Sequence, residues 1–200
     1  MADKTLRDEH AEITRRELVA AARALFGSKG YAGTGVDEVA AKARVTRGAL
    51  YHHFRGKQDV FLAVFEEVQA ELRDHVLLIA SRETDAWDRI RVSLRAFLDA
   101  CAEPGIERIL LEDGPSVLGW ATWREIDARY FLGGMIAGLE ELQSTGKMRP
   151  LNANVVGHLL LGLVTEAAMM LADATNDDDV DRVRKDAETA LDALFAGLHS

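Results

Sequence analysis

Cysteine, proline and aromatic residues are scarce in this chain, and each scarcity closes a route. The 200 residues hold one cysteine, Cys101, so no disulfide forms within the chain, and a lone thiol suits a reducing compartment. It reads as a small buried apolar residue. The three prolines, Pro104, Pro115 and Pro150, all fall between helix-like segments, the punctuation of an all-α protein. Strand-period alternation, internal repeats and low-complexity tracts are missing, and with them the case for a β or solenoid architecture. The opening residues, MADKTLRDEHAEITRRE, lack the apolar run of a secretory signal, so a cytoplasmic location is expected. Also missing are a Gly-x-Ser-x-Gly elbow, a phosphate-cradling loop, a dinucleotide fingerprint and metal-ligand spacing. The enzyme class therefore has no support, and neither cofactor nor metal is expected. One apolar window, VVGHLLLGLVTEAAMMLA (155–172), has about the length of a membrane span but carries His158 and Glu166. It is read as a buried or helix-pairing segment, with no membrane partner.

What the chain has in excess is acid, unevenly spread. The formal charge is -9, yet residues 1–57 carry 11 Lys and Arg against 7 Asp and Glu, leaving 13 against 26 for the remainder. A basic N-terminal part suits a polyanion, while the acidic remainder should point away from it.

Helical spacing organises that basic part. Leu18, Val19, Ala22, Leu25 and Phe26 follow the spacing i, i+1, i+4, i+7, i+8, closed by Gly27 and Gly30. Thr34 and Asp37 resemble a capping box leading into Val36, Val39, Ala40 and Ala43. Val45, Ala49, Leu50 and Phe54 mark a third stripe. Two short helices, 36–43 and about 46–53, separated by only a few residues, have the spacing of a helix-turn-helix. With Val36, Ala40, Val45 and Leu50 inside the pair, Thr46, Arg47, Gly48, Tyr51 and His52 face outward. Such residues suit a DNA groove: arginine can donate twice to the O6/N7 edge of guanine, threonine can meet phosphate or base, and tyrosine and histidine can donate to phosphate. His52 and His53, neighbours on a helix, point about 100° apart and do not easily share a metal ion.

The stretch GYAGTGVDEVAAKARVTRGALYHHFRGKQDVF, residues 30–61, closely resembles the DNA-binding domain of the TetR (tetracycline-repressor-like) family of transcriptional regulators. The likeness rests on the Gly-Tyr after the first helix, the Thr before the second, Val-x-x-Val-Ala within it, Gly-x-Leu-Tyr-x-His-Phe in the third and the Lys opening the fourth. It implies that Thr34, Thr46, Arg47, Gly48, Tyr51, His52, His53 and Lys57 sit where family members touch operator DNA. Arg47, Gly48 and His52 would lie closest to base edges, and Thr34, Tyr51, His53 and Lys57 would hold phosphates. Arg44 stands at the turn where the family usually has Gly; in a left-handed conformation it would cost about 1 kcal/mol and add a phosphate contact.

The rest reads as a helical body, with segments near 57–80, 87–102, 105–112, 120–145, 152–175 and 180–197. The division expected is a helix-turn-helix DNA-binding domain at 1–56 and a helical effector-binding and dimerisation domain at 57–200. The family likeness implies a small-molecule effector and dimerisation through the last two long helices. Trp87, Phe97, Trp120, Trp123, Tyr130, Phe131, Met135, Met169 and Met170 are of the kind that lines small-molecule sites, although they serve ordinary cores as well. Arg124, His158 and Glu166 are the candidate polar anchors. Gly133, Gly134 and Gly138, each costing about 1 kcal/mol within a helix, loosen it or make room beside it. Val156, Leu159, Leu160, Leu163, Val164, Ala167 and Leu171, with Ala187, Leu191 and Leu194, form apolar stripes broad enough to close a four-helix bundle across a two-fold axis.

The function expected is a sequence-specific, ligand-responsive repressor that binds a palindromic operator as a homodimer, its effector hydrophobic or amphipathic. The alternatives are a small-molecule-binding protein or enzyme with a vestigial DNA-binding domain, and a constitutive architectural DNA binder. The last would usually be basic overall, against the charge found here.

Overall fold

Ten α-helices and one π-helical segment carry the chain in a computed structural model, which describes residues 2–174 and 176–200, apart from the side chains of 2–7, 104 and 177. The helices are α1 (Ala2–Lys29), α2 (Val36–Lys42), α3 (Arg47–His53), α4 (Lys57–Ala80), α5 (Ala86–Cys101), α6 (Pro104–Glu107), α7 (Gly114–Leu118), α8 (Trp120–Ser144), α9 (Ala153–Ala172) and α10 (Asp177–Leu198). The π-helical segment, Arg108–Asp113, joins α6 to α7, where spacing had suggested one helix. No strand forms among the described residues, and the all-α expectation holds. The other expected segments match closely, except that α1 begins well before its apolar stripe.

The chain forms two compact units, and they do not follow the sequence order expected: the first combines residues 1–68 with 104–120, the second 69–103 with 121–200. In the first, Leu18, Ala22 and Phe26 of α1 are enclosed with Leu50, Phe61, Val64 and Ile109. Phe26 and Phe61 meet edge to face at 5.2 Å, and Tyr31 stands edge-on to Phe61 at 5.3 Å, the geometry that suits aromatic quadrupoles. Gly30 (φ 71) ends α1, its N–H returning to the Phe26 carbonyl at 2.8 Å. Arg108 donates to the α1 carbonyls of Ser28 (2.9 Å) and Gly27 (3.4 Å), a cation set at the negative end of the helix dipole. Asp113 accepts from the Tyr31 N–H at 2.6 Å. The backbones approach closely at Gly27, where a Cβ would lie 3.3 Å from the Gly105 Cα.

The expected capping box is absent. Gly35 is the N-cap of α2 and makes no side-chain cap, while Thr34 is buried with its hydroxyl on the Gly30 carbonyl at 2.9 Å. The true cap lies one helix on: Thr46 accepts from the Ala49 N–H at 3.1 Å and starts α3. Between them Arg44 is left-handed, at φ 58, which a Cβ disfavours. Arg44→Gly is accordingly expected to raise stability by about 0.5–1 kcal/mol, the relief being partly offset by glycine's freedom in the unfolded chain. Urea unfolding checks this; a loss of stability would mean that the arginine side chain contributes more than its strain costs.

In the second unit, α5 begins at Asp85, which accepts from the N–H groups of Trp87 (2.8 Å) and Asp88 (3.3 Å), and α9 at Asn152, which accepts from Val155 at 3.1 Å. The core gathers Leu98, Trp123, Ile126, Leu139, Leu142, Val164 and Phe195. Helix α9 is long and apolar enough to cross a membrane by length and composition, but Gly157, Leu160, Leu161, Val164, Ala168 and Leu171 are packed within the unit.

Candidate nucleic-acid interface and effector cavity

Helix α3 buries one side and offers the other. Leu50 and the following Phe54 are enclosed, so the helical period turns Arg47, Gly48, Tyr51 and His52 to solvent, with Thr46 and Arg44 exposed beside them. The Arg47 guanidinium lies 5.5 Å from the centre of the Tyr51 ring and pairs with Asp37 at 2.9 Å. Both members of that pair are well exposed, so the pairing is weak and leaves the guanidinium available to a stronger acceptor. His53 is half-buried, and burial together with the His52 and Arg15 charges lowers its pKa.

Two residues expected on this face are engaged elsewhere. Thr34 is enclosed and its hydroxyl is spent on the Gly30 carbonyl, which takes it off the exposed surface. Lys57 donates to the carbonyls of Tyr31 (2.8 Å) and Thr34 (3.1 Å), and its ammonium sits 4.0 Å from the centre of the Tyr31 ring. It ties the start of α4 to the loop before α2. Sequence spacing alone places Lys57 near the recognition helix but does not reveal that its charge holds the loop.

The second unit contains a cavity of about 430 Å³, bounded by α4, α5, α8 and α9. Its size falls within the usual range of small-molecule sites. Of the residues expected at a ligand site, Phe97, Tyr130, Phe131 and Met135 line it. Trp87, Trp120, Trp123, Arg124, His158, Glu166 and Met169 do not. Trp87 is buried beneath His199, its ring stacked at 4.3 Å, and Trp123 is buried in the core. Trp120 belongs to the first unit and is exposed. Arg124, His158 and Glu166, the expected anchors, are exposed, because α8 and α9 turn those positions outward. The polar groups that do reach the cavity are Arg73, Arg89, Ser93, Tyr130 and Glu141. Room is made by small residues on one face of α8, namely Gly134, Ala137 and Gly138; of the three glycines expected to make room there, Gly134 and Gly138 line the cavity and Gly133 does not.

A buried polar group also escaped the sequence reading. Asp127 on α8 is enclosed, 3.4 Å from both Gln69 Nε2 and the Thr165 hydroxyl, and Gln69 Oε1 has no hydrogen-bond partner. Burial raises the Asp127 pKa to about 6, against the hydrogen bonds from Gln69 and Thr165 and the charge of Arg124, which lower it. The signal was a carboxylate one helical turn after Trp123 on an apolar face. Cys101 is buried and its thiol pKa is pushed up, first by burial and then by Asp127, as befits an inert core thiol.

The expected dimer stripes divide. Leu160, Val164, Ala167, Leu171 and Leu191 pack into their own unit, which corrects their assignment to an outward face. Leu159, Leu163 and Leu194 are exposed, and Val156 and Ala187 are half-buried. Val155 and Met170, not anticipated, add to the exposed apolar surface of α9.

Comparison with known proteins covers both parts of the chain. The family model described as bacterial regulatory proteins, tetR family, matches residues 18–64, and that described as tetracyclin repressor-like, C-terminal domain, matches 87–198. The Transposon Tn10 TetC protein of Escherichia coli is 28% identical over 162 residues, 81% of this chain and 82% of its own length. The HTH-type transcriptional regulator AcrR of Shigella flexneri is 41% identical over 113 residues, 56% of this chain and 52% of that protein. A crystal structure of a TetR-family transcriptional regulator from Pectobacterium atrosepticum superposes with a TM-score of 0.84 at 34% identity, covering 96% of each chain.

Proposed function

The chain belongs to the TetR family of DNA-binding transcriptional regulators, and on that premise we propose that it is a ligand-responsive repressor that binds a palindromic operator as a homodimer. The observation that carries the DNA-binding half of this reading is the exposed row Arg47, Gly48, Tyr51 and His52 on a helix whose opposite side is buried. One such helix enters a major groove, and two related by a dyad span half-sites about 34 Å apart. Gly48 lets the backbone approach, Arg47 reads a guanine, and Arg44, Thr46, Tyr51 and His53 hold phosphates. Lys57 stiffens the loop and has one remaining donor for a phosphate. The protein acts in the cytoplasm, where its operator lies.

The cavity between α4, α5, α8 and α9 supports the ligand-responsive half. A ligand there shifts the protein only by its difference in affinity for the operator-binding and released conformers, so effector and operator weaken each other by the same factor. The apolar walls favour a hydrophobic or amphipathic molecule.

Selection of bound fragments from genomic DNA, followed by base-substitution series at several salt concentrations, tests the proposal. Arg47→Ala is expected to cost about 1–3 kcal/mol on the operator and to relax preference at one position per half-site. Lys57→Ala should weaken all sequences alike and lower the salt slope by about one. It should also lower folding stability by about 1–3 kcal/mol, because two loop carbonyls lose their donor. If Arg47→Ala weakens every sequence equally, the arginine does not read a base.

A further inference from the structure

The effector cavity is long, and its polar groups are unevenly placed. Along α8 its wall runs from Tyr130 to Glu141 and along α5 from Phe97 back to Ala86. The eleven steps between Tyr130 and Glu141, at 1.5 Å each, make it about 16 Å long. The cavity is therefore an elongated channel, open to solvent along Leu77, Gly134 and Ala137, which are exposed.

Its two ends differ in charge. At one, Arg89 is paired with Glu141 and donates to the Thr84 carbonyl at 2.9 Å, so that end is neutral and satisfied. At the other, the Arg73 guanidinium lies 5.5 Å from the centre of the Tyr130 ring. Arg73 uses Nε and Nη2 on the neighbouring Asp74, whose carboxylate is two-thirds exposed and so a weak, water-screened partner. Arg73 Nη1 and the Tyr130 hydroxyl make no hydrogen bond among the described residues. One weakly compensated cation therefore stands beside a tyrosine at one end of a channel walled by Val76, Ile90, Leu94 and Phe131.

Resting on the reading of this cavity as the effector site, we infer that the effector is an elongated monoanionic amphiphile, a straight-chain carboxylic acid whose head is held by Arg73 and Tyr130. The tail runs along Gly134 and Gly138 and stops short of the Arg89–Glu141 pair. From Tyr130 to Gly138 the wall is about 12 Å long. At about 1.25 Å per carbon, set by the C–C bond length, this fits roughly ten carbons.

The test is calorimetry on the full-length protein with straight-chain acids of increasing length and with the matching primary alcohols. Affinity for the acids should climb about fourfold per methylene up to roughly ten carbons and then level off. Arg73→Gln should weaken decanoate binding at least about tenfold and leave decanol unchanged, and Arg73→Lys should restore most of the loss. Gly134→Leu should block both, because a Cβ there meets nothing within 4 Å and leucine improves the helix, so the variant folds with its channel filled. Acids and alcohols that bind alike overturn the anionic head, and affinity that ignores length overturns the tail. If no acid binds but another compound releases the operator and is blocked by Gly134→Leu, the inference fails while the effector cavity stands. Decanoate that binds in the channel without changing operator affinity supports the ligand class and defeats the coupling under the proposed function.

Discussion

Leu163→Arg is expected to give a folded monomer that binds a palindromic operator at least about a hundredfold more weakly than the unmodified protein, the advantage that tethering two recognition helices confers. Leu163 is 42% exposed on α9, in company with Val155, Leu159 and Met170, and Leu194 is exposed on α10. Large apolar side chains gathered on solvent-facing helix surfaces mark an interaction face. A guanidinium at 163 remains hydrated in the monomer, so folding is spared; at a dimer interface it is desolvated without a partner. Leu160→Arg is the contrast, because Leu160 is buried in its own unit and the charge there should unfold it. Sedimentation, helical circular dichroism and operator titration separate the outcomes. A well-folded Leu163→Arg monomer that binds the palindrome as tightly as wild type would defeat the dimeric mechanism.

Asp127→Asn is expected to stabilise the second unit by roughly 3 kcal/mol at neutral pH, on the basis of about 1.4 kcal/mol per pKa unit between about 6 in the fold and the ordinary 3.8. Below about pH 4 the carboxyl is protonated in both folded and unfolded chains and costs nothing. As pH rises through about 6 the folded protein must ionise a buried group, and the stability present at low pH is lost. Asparagine removes that loss and can also donate to Gln69 Oε1, which otherwise lacks a partner. Urea unfolding of both proteins from pH 4 to 8 should show a gain that is largest above pH 6 and shrinks below it. A gain independent of pH would assign the effect to hydrogen bonding alone.

These residues also mark where sequence reading succeeds and where it stops. The helix-turn-helix was legible because its determinants are local, Val39, Ala40 and Leu50 at helical spacing, although the cap expected at Thr34 lies one helix on, at Thr46. The burial of Thr34 and the loop-holding bonds of Lys57 were not legible, because their partners, Gly30, Tyr31 and the Thr34 carbonyl, are fixed only when the loop folds back. In the second unit the difficulty is different. Trp87 and Phe97 are equally large and apolar, yet one packs under His199 and the other lines the cavity. Helix α9 is apolar nearly all round, so composition does not say that Leu160 turns inward and Leu159 outward. Neither distinction exists until neighbouring helices are in place.

The interleaved makeup of the first unit bears on how such proteins can be recombined. Because residues 104–120 pack with 1–68, a DNA-reading module cannot be transplanted by one cut after residue 68. A single-junction chimera would bring a foreign α1 against the resident Gly105, Arg108 and Asp113, where α1 is met by a glycine-to-glycine approach, two bonds to its last carbonyls and one to the Tyr31 amide. Any donor with a bulkier residue at the position of Gly27 would force those backbones apart. Exchange of operator specificity between relatives is therefore a two-fragment graft, or else a change confined to the exposed side of α3.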